Sequence, residues 1–374
     1  MRVGTRRSPA VTKATTTRTT ERRLVFRNVS ASRILRWLLP VALWASACAP
    51  PAAKPAARAA APARPLHHGP LSDLVSAAGL RWLVLVKPQQ VLADPELGQA
   101  IAQIIPSTRF DAFAESSGVD LRTVPEAAIA GFPYSTLYLA ALPQDVATLA
   151  RARFSERLLA GAVTKHTHPA LTRITGVIGQ TPETLLTIDE RALVVAVGDP
   201  LPAKIAEAYA EERLKNSPTA LRGAALSALP ELLTSNAAVL LAPGPFADEW
   251  QRAAGGLLQS TVALAIAVQP IGHGKVATTL CLAGEWQSSA DDAASRLSAA
   301  WTTLARSSAG HLFELNEVAE VKASPQILTL RIELELSALV RGLRASVLGD
   351  LSQILRLPGK LPIDKQDPET RTTP

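Results

Sequence analysis

A short apolar run, residues 37–47, constrains this chain more than any other feature. At about eleven residues it has the length of the apolar part of a secretory signal peptide. A membrane-spanning helix needs about twenty residues, so this run is too short to span comfortably. Arg27, Arg33 and Arg36 precede the run and supply the positive charge that such a signal carries in front. The sequence therefore predicts that everything after the run folds outside the cytoplasm.

The run ends in small residues and a cysteine: Ala45, Ser46, Ala47 and Cys48. This ending resembles the lipobox of bacterial lipoproteins, although Ala45 stands where the usual leucine would be. The resemblance implies that Cys48 is diacylated and N-acylated and becomes the first residue of the mature chain. Because each buried methylene contributes about 0.8 kcal/mol, such acyl chains would hold the protein on a membrane. In that family Ala49, in place of Asp, favours the outer membrane.

Other interpretations of the N-terminal region stay open. An ordinary cleaved signal, or an uncleaved anchor, would make Cys48 incidental. Residues 1–24 are rich in Thr and Arg, so either translation starts further on, near Val25, or the basic region is extended. Arg22 and Arg23 weakly resemble a twin-arginine signal, but Val25 replaces the expected phenylalanine.

The basic charge of the chain lies almost entirely in the segment that is expected to be removed. Residues 1–47 contain ten of the 39 Lys and Arg residues and one of the 32 acidic residues, Glu21. The remainder has 29 basic and 31 acidic residues, a net charge of about −2. Without a basic surface there is no attraction to a phosphate backbone, which argues against a nucleic-acid partner.

Cysteine content bears on how the mature chain is stabilised. If Cys48 carries lipid, Cys281 has no second cysteine with which to form an internal disulfide. Cys281 lies in an apolar strand pattern, residues 278–283, and is expected to be a small buried hydrophobic residue. The folded part spans roughly 285 residues, enough for one large or two ordinary domains. Its stability is therefore expected to come from an apolar core.

The composition divides the rest of the chain into segments. Residues 48–70 are mostly Ala and Pro and cannot bury enough apolar surface to fold, so they are expected to form an extended tether. At about 3.1 Å per residue this tether reaches up to about 70 Å. Residues 358–374 return to Pro, Lys, Asp and Thr and are expected to be disordered.

Between tether and tail, the order of predicted elements occurs twice. Residues 71–222 and 223–357 each give a strand, a helix, two strands, a helix, further strands and a helix. The alternation in residues 330–336 places one sheet face in solvent. We therefore predict an α+β fold of two similar lobes, with mixed or antiparallel sheets and helices packed on one face, loosely ferredoxin-like.

Few residues suggest chemistry. His166 and His168 lie in a predicted loop, residues 164–169, and are weak metal-ligand candidates because no third ligand is nearby. His273 lies between two glycines in a predicted hairpin turn, where a geometric role is expected. The serine-hydrolase, phosphate-loop and zinc-protease motifs do not occur. We therefore predict no catalytic residue and no cofactor.

Three functional hypotheses remain. The first is a membrane-anchored, non-enzymatic binding or scaffold module of the cell envelope, held through acylated Cys48 and meeting a protein partner on the periplasmic side. The alternative is a periplasmic carrier of an apolar ligand, which requires an apolar cavity of several hundred cubic ångströms. The least favoured is a hydrolase or metal enzyme using His166, His168 or His273, which requires titratable groups clustered in a cleft.

Overall fold

A computed structural model describes residues 66–229, 236–248 and 256–354 of the chain. The predicted leader, the lipobox residues Ala45, Ser46, Ala47 and Cys48, and the predicted C-terminal tail lie outside these ranges. In the described ranges, no helix is both long enough and apolar enough to cross a membrane.

In this described part of the chain, twelve strands form one continuous sheet in which every neighbouring pair is antiparallel. In chain order the strands are β1 Trp82–Val86, β2 Ala127–Phe132, β3 Ser135–Ala141, β4 Ala160–His168, β5 Leu171–Ile178, β6 Thr181–Ile188, β7 Ala192–Gly198, β8 Ala238–Pro243, β9 Thr261–Gly272, β10 Lys275–Gly284, β11 Glu320–Ala323 and β12 Ile327–Glu335. The strand order across the sheet is β11-β12-β10-β9-β8-β1-β2-β3-β7-β6-β5-β4.

The described helices lie between strands, except for the last one, which follows β12, and some of their ends carry capping signals. Asp94 precedes the second helix, and its carboxylate accepts the backbone N–H groups of Glu96 and Leu97 at 3.0 and 2.9 Å. Gly118 ends the third at φ 76°, the left-handed conformation in which glycine commonly ends a helix. The described helices are α1 Pro88–Ala93, α2 Pro95–Ile104, α3 Ser107–Ser117, α4 Val146–Arg157, α5 Leu201–Ala210, α6 Ala290–Ala305, α7 Ser308–Leu312 and α8 Leu336–Ile354.

Helices cover both faces of the sheet, whereas the sequence predicted one. Successive strand residues point to opposite faces. On the first face Ala128 and Ala130 belong to the core cluster that includes Ala206 of α5. On the second face Ala127 packs with Ala147 of α4. At the other end of the sheet, this second face is covered by α2, α6 and α8. Strand residues that point to either face can therefore be apolar.

The predicted α+β class is confirmed, but the division into two lobes is not. β1, from the first half of the chain, pairs with β8, from the second, with Val84 opposite Leu240. The ferredoxin-like comparison is not confirmed either. The helices α1 to α3 connect β1 to its antiparallel neighbour β2, whereas the crossover of a βαβ unit joins parallel strands. One sheet runs through both halves.

The folded part begins earlier in the sequence than predicted. Leu66, which was assigned to the tether, is 7% exposed and belongs to the main core cluster. The backbone N–H of His67 donates to the carbonyl of Ala210 at 2.8 Å. The His67 imidazole Nε2 lies 3.2 Å from the Asp73 carboxylate. These contacts add residues 66–70 to the domain. The sequence prediction missed them because composition alone does not show that a leucine in an Ala- and Pro-rich segment packs into the core.

Candidate functional site

The main candidate site is an apolar cleft of about 510 Å³ on the second face of the sheet. Its floor is formed by β2, β3, β6 and β7, and its roof by α3 and α4. We call it the apolar cleft and define it by six residues, Phe113, Ile129, Tyr138, Phe154, Val195 and Val197. Its volume lies within the range of about 300–1,000 Å³ that is typical of small-molecule sites.

The floor of the apolar cleft is a row of apolar side chains that runs across four strands. Ile129 pairs with Tyr138, Tyr138 with Val195, and Val195 with Leu185. Neighbours in such a row have Cβ atoms about 5 Å apart and all point to the same face. Tyr138 is nevertheless 44% exposed. The row therefore presents apolar surface that the helices above it cover only in part.

The roof is uneven because its two helices pack differently. In α4, Ala147, Ala150 and Phe154 are buried, and their spacing places them on one helical face. In α3 no side chain is fully buried, and Phe113 is 44% exposed although it lines the cleft. Elements with few buried apolar contacts open most easily. The cleft thus has one firmly packed wall, α4, and one lightly packed wall, α3.

Two charged side chains belong to the described lining of the cleft, Arg157 at the end of α4 and Glu183 in β6. Burial raises the pKa of the Glu183 carboxyl above its ordinary value, and the positive charge of Arg157 partly opposes this rise. Burial thus favours the neutral form of Glu183, whereas a nearby positive charge favours the ionised form. These two residues give an otherwise apolar site a polar end.

A second cavity, of about 400 Å³, lies beside the N-terminal boundary of the domain, and most of its lining residues are polar or charged. At its edge the Asp73 carboxylate is nearly buried and contacts three donor groups. These are His67 Nε2 at 3.2 Å, Arg222 Nη2 at 3.3 Å and Thr219 Oγ1 at 3.4 Å. A buried carboxylate that is satisfied in this way anchors chain segments to each other. Here it joins the start of the domain to residues 219–222.

His166 and His168 lie in one strand, and His273 lies towards the other end of the sheet. The loop predicted around His166 and His168 is instead the end of β4, an edge strand. His166 Nδ1 lies 3.3 Å from Thr172 Oγ1, and His168 Nδ1 accepts the N–H of Ala170 at 3.1 Å. His273 occupies the β9–β10 turn with φ 58°, as the predicted hairpin requires. The described residues contain no cluster of three or more metal-ligating side chains.

Cys281 lies in β10 and is 3% exposed, as the strand pattern predicted. Burial raises the pKa of its thiol to about 11, with a small opposing effect from Thr329. The thiolate is therefore scarce at neutral pH, which makes the group unreactive. Cys281 contributes to the core as a small hydrophobic side chain.

Sequence reasoning missed the apolar cleft, although a signal was present. Residues 137–142 and 192–197 are apolar at successive positions rather than at alternate ones, which is typical of strands that are covered on both faces. The helices near them on the second face are short and carry several alanines. These helices cover the doubly apolar sheet only in part, and the space left between the two layers is the cleft.

Comparisons with known proteins give little further information. No protein-family model matches the chain, and no curated protein matches it. Two solved structures do, crystal forms III and I of TP0453, at 13% and 11% sequence identity. Each match covers 74% of this chain, and they cover 98% and 97% of the TP0453 chains, with TM-scores of 0.43 and 0.41.

Proposed function

We propose that this protein is a non-enzymatic envelope lipoprotein whose folded part binds an apolar small molecule in the apolar cleft. The observation that carries the proposal is the cleft itself. It combines about 510 Å³ of space with an apolar sheet floor and a helix, α3, that packs only lightly over that floor. This geometry favours the carrier hypothesis over a scaffold without a ligand.

The anchoring part of the proposal depends on the sequence. A lipid on Cys48 would hold the carrier on a membrane, and Ala49 after it supports the outer membrane, facing the periplasm. A carrier of an apolar molecule that is tethered to a bilayer is close to both a source and an acceptor for its ligand. Radiolabelled palmitate incorporation tests the anchor, since Cys48→Ser should abolish it while the protein is still produced.

A protein partner in the envelope is the second candidate, and the edge strand β4 favours it. The strand has nine residues, and those from Gly161 to Thr167 are exposed. An open edge offers backbone N–H and C=O groups to an added strand. Co-purification tests this candidate: a partner recruited by strand addition should be lost when proline replaces Val163.

We also propose that the two halves of the chain arose by duplication. β1 and β8 are the first strands of their halves, and they pair with each other near the middle of the sheet. In the first half, β1 is followed across the sheet by the hairpin β2–β3 and then by β7. In the second half, β8 is followed in the opposite direction by the hairpin β9–β10 and then by β12. The matching order in both directions supports the predicted internal repeat.

The ligand-binding role is tested with N-phenyl-1-naphthylamine, an uncharged dye that fluoresces in apolar sites. We expect the purified protein to bind it with one saturable site. Val195→Trp should reduce the affinity at least about tenfold, because the indole fills the floor of the cleft. The matched control is Val262→Trp, in β9, where the native side chain is 46% exposed and does not line the cleft.

The two variants separate the outcomes. If the Val195→Trp and Val262→Trp variants bind the dye with equal affinity, the dye binds outside the cleft and the proposal is overturned. Circular dichroism of both variants shows whether either has unfolded. A smaller substitution, Val195→Phe, keeps the test usable if the tryptophan variant does not fold.

A further inference from the structure

The apolar cleft has a closed end and a charged end. Glu183 belongs to the floor and lies opposite Val197 in the neighbouring strand. Arg157 is the last residue of α4, and its side chain is exposed. Nearer the start of the same helix, Ala150 is 1% exposed and packs in one cluster with Val119. A ligand in the cleft therefore meets packed apolar side chains at one end and two opposite charges at the mouth.

The two charges at the mouth are not joined to each other. Arg157 acts on Glu183 through its charge, but in the described part of the chain the two side chains form neither a hydrogen bond nor an ion pair with each other. A closed ion pair would satisfy both groups. An open arrangement of one guanidinium and one carboxylate leaves each able to bind a charged group of a ligand.

We infer, on the basis of the proposed ligand-binding role, that the ligand is a single-chain amphiphile with a zwitterionic head. Its apolar chain occupies the cleft, its anionic group binds Arg157 and its cationic group binds Glu183. The guanidinium has the planar donor geometry that suits a phosphate or carboxylate, and the carboxylate accepts from an ammonium or attracts a quaternary one.

The charge arrangement favours this class over other head groups. A purely anionic head would pair with Arg157 but bring a like charge towards Glu183, and a purely cationic head would do the reverse. An uncharged head would leave both residues without a charged partner. The volume, about 510 Å³, lies in the lower half of the usual range for ligand sites, which favours one chain over the two of a bilayer lipid.

The test compares amphiphiles that share a dodecyl chain and differ in the head. Dodecylphosphocholine, dodecyl sulfate, dodecyltrimethylammonium and dodecyl maltoside each displace N-phenyl-1-naphthylamine from the purified protein, below the concentrations at which they form micelles. We expect the phosphocholine to bind about tenfold more tightly than the other three. Arg157→Gln and Glu183→Gln should each remove this preference, so that the phosphocholine no longer binds more tightly than the maltoside.

Arg153→Gln is the matched control, because Arg153 lies on the same helix, pairs with Glu156 and does not line the cleft. It should keep the preference for phosphocholine. The inference is overturned if the unaltered protein binds the phosphocholine and the maltoside with equal affinity. It is also overturned if Arg157→Gln lowers both affinities by the same factor. In either case the cleft remains a ligand site. If the dye itself does not bind, the proposed function fails first.

Discussion

Arg173 of β5 donates a hydrogen bond to the carboxylate of Glu207, a side chain of α5 that is 1% exposed. Thr167 of β4 donates to the other carboxylate oxygen. One buried acid thus fixes α5, on the first face, to β5 and β4, the two strands at one edge of the sheet. Removing either partner of such a pair leaves an uncompensated charge, which costs far more than the pair contributes.

We expect Glu207→Ala to lower the free energy of unfolding by about 3–5 kcal/mol, because Arg173 would lose its partner. Replacing both residues by apolar ones, Glu207→Leu with Arg173→Met, should restore most of the loss. Urea denaturation measures both. Glu317→Ala is the control, because the ion pair of Glu317 with Arg306 is exposed and its loss should barely move the midpoint. If Glu207→Ala shifts the urea midpoint as little as Glu317→Ala does, the prediction is contradicted.

A second prediction concerns Gly131 in β2, over which the ring of Trp82 lies. A Cβ atom at this position would overlap the indole, so the close contact requires glycine. We expect Gly131→Ala to destabilise the protein by about 1–3 kcal/mol through overpacking. Trp82→Leu should recover part of that loss in the double variant, as thermal unfolding of the four proteins would show. Strictly additive losses would mean that the two residues do not compete for space.

Cys281 is the subject of a third prediction. In a Cys48→Ser background Cys281 remains the one thiol of the chain. We expect it to resist iodoacetamide at about pH 8 in the folded protein and to react readily in urea, because burial raises its pKa to about 11. The raised pKa also means that folding favours the neutral thiol. The associated stability is present below the unfolded-state pKa and is lost as the pH rises towards 11. Fast alkylation of the folded protein would show that the thiol is accessible.

The fourth prediction places the N-terminal boundary of the domain. Leu66 is buried, and its neighbour His67 contacts Asp73, so a fragment that starts at residue 66 should be more stable than one that starts at residue 71. Burial of a leucine side chain contributes about 1.5–3 kcal/mol, which sets the size of the difference. Limited proteolysis of the whole chain should likewise stop short of Leu66. Equal urea midpoints for the two fragments would return the boundary to residue 71.

Local sequence patterns predicted the elements better than their assembly. The hairpin at His273 and the cap at Gly118 follow from backbone preferences of a few residues, which the sequence shows directly. The pairing of Val84 with Leu240 joins strands that are far apart in the chain, and nothing local to either strand specifies it. The prediction of two lobes missed the single sheet for this reason.

The candidate site was less accessible to sequence reasoning than the fold. A cleft is a space between layers, and its size depends on how closely α3 and α4 approach the sheet. The row through Tyr138 and Val195 has the composition of an ordinary core. Its partial exposure emerges only in three dimensions. The spacing of His166 and His168 indicated metal ligands, whereas the charged residues that line the cleft are Arg157 and Glu183.

The last prediction concerns the stability of the unliganded protein and its dependence on pH at Glu183. Burial raises the pKa of this carboxyl in the folded state, so folding favours its protonated form. The corresponding stability is present at low pH and is lost as the pH rises through the folded-state pKa.

We therefore expect Glu183→Gln, which cannot ionise, to raise the urea midpoint at about pH 7.5 and to change it less at about pH 4. Glu156→Gln, on the exposed side of α4, should show no such dependence on pH. Adding dodecylphosphocholine should narrow the difference at the higher pH, since a bound ammonium group would compensate the carboxylate that the glutamine variant lacks. A Glu183→Gln midpoint that follows the unaltered protein at both pH values would show that the carboxyl is fully solvated, and the mouth of the cleft would then be more open than the packing of α4 suggests.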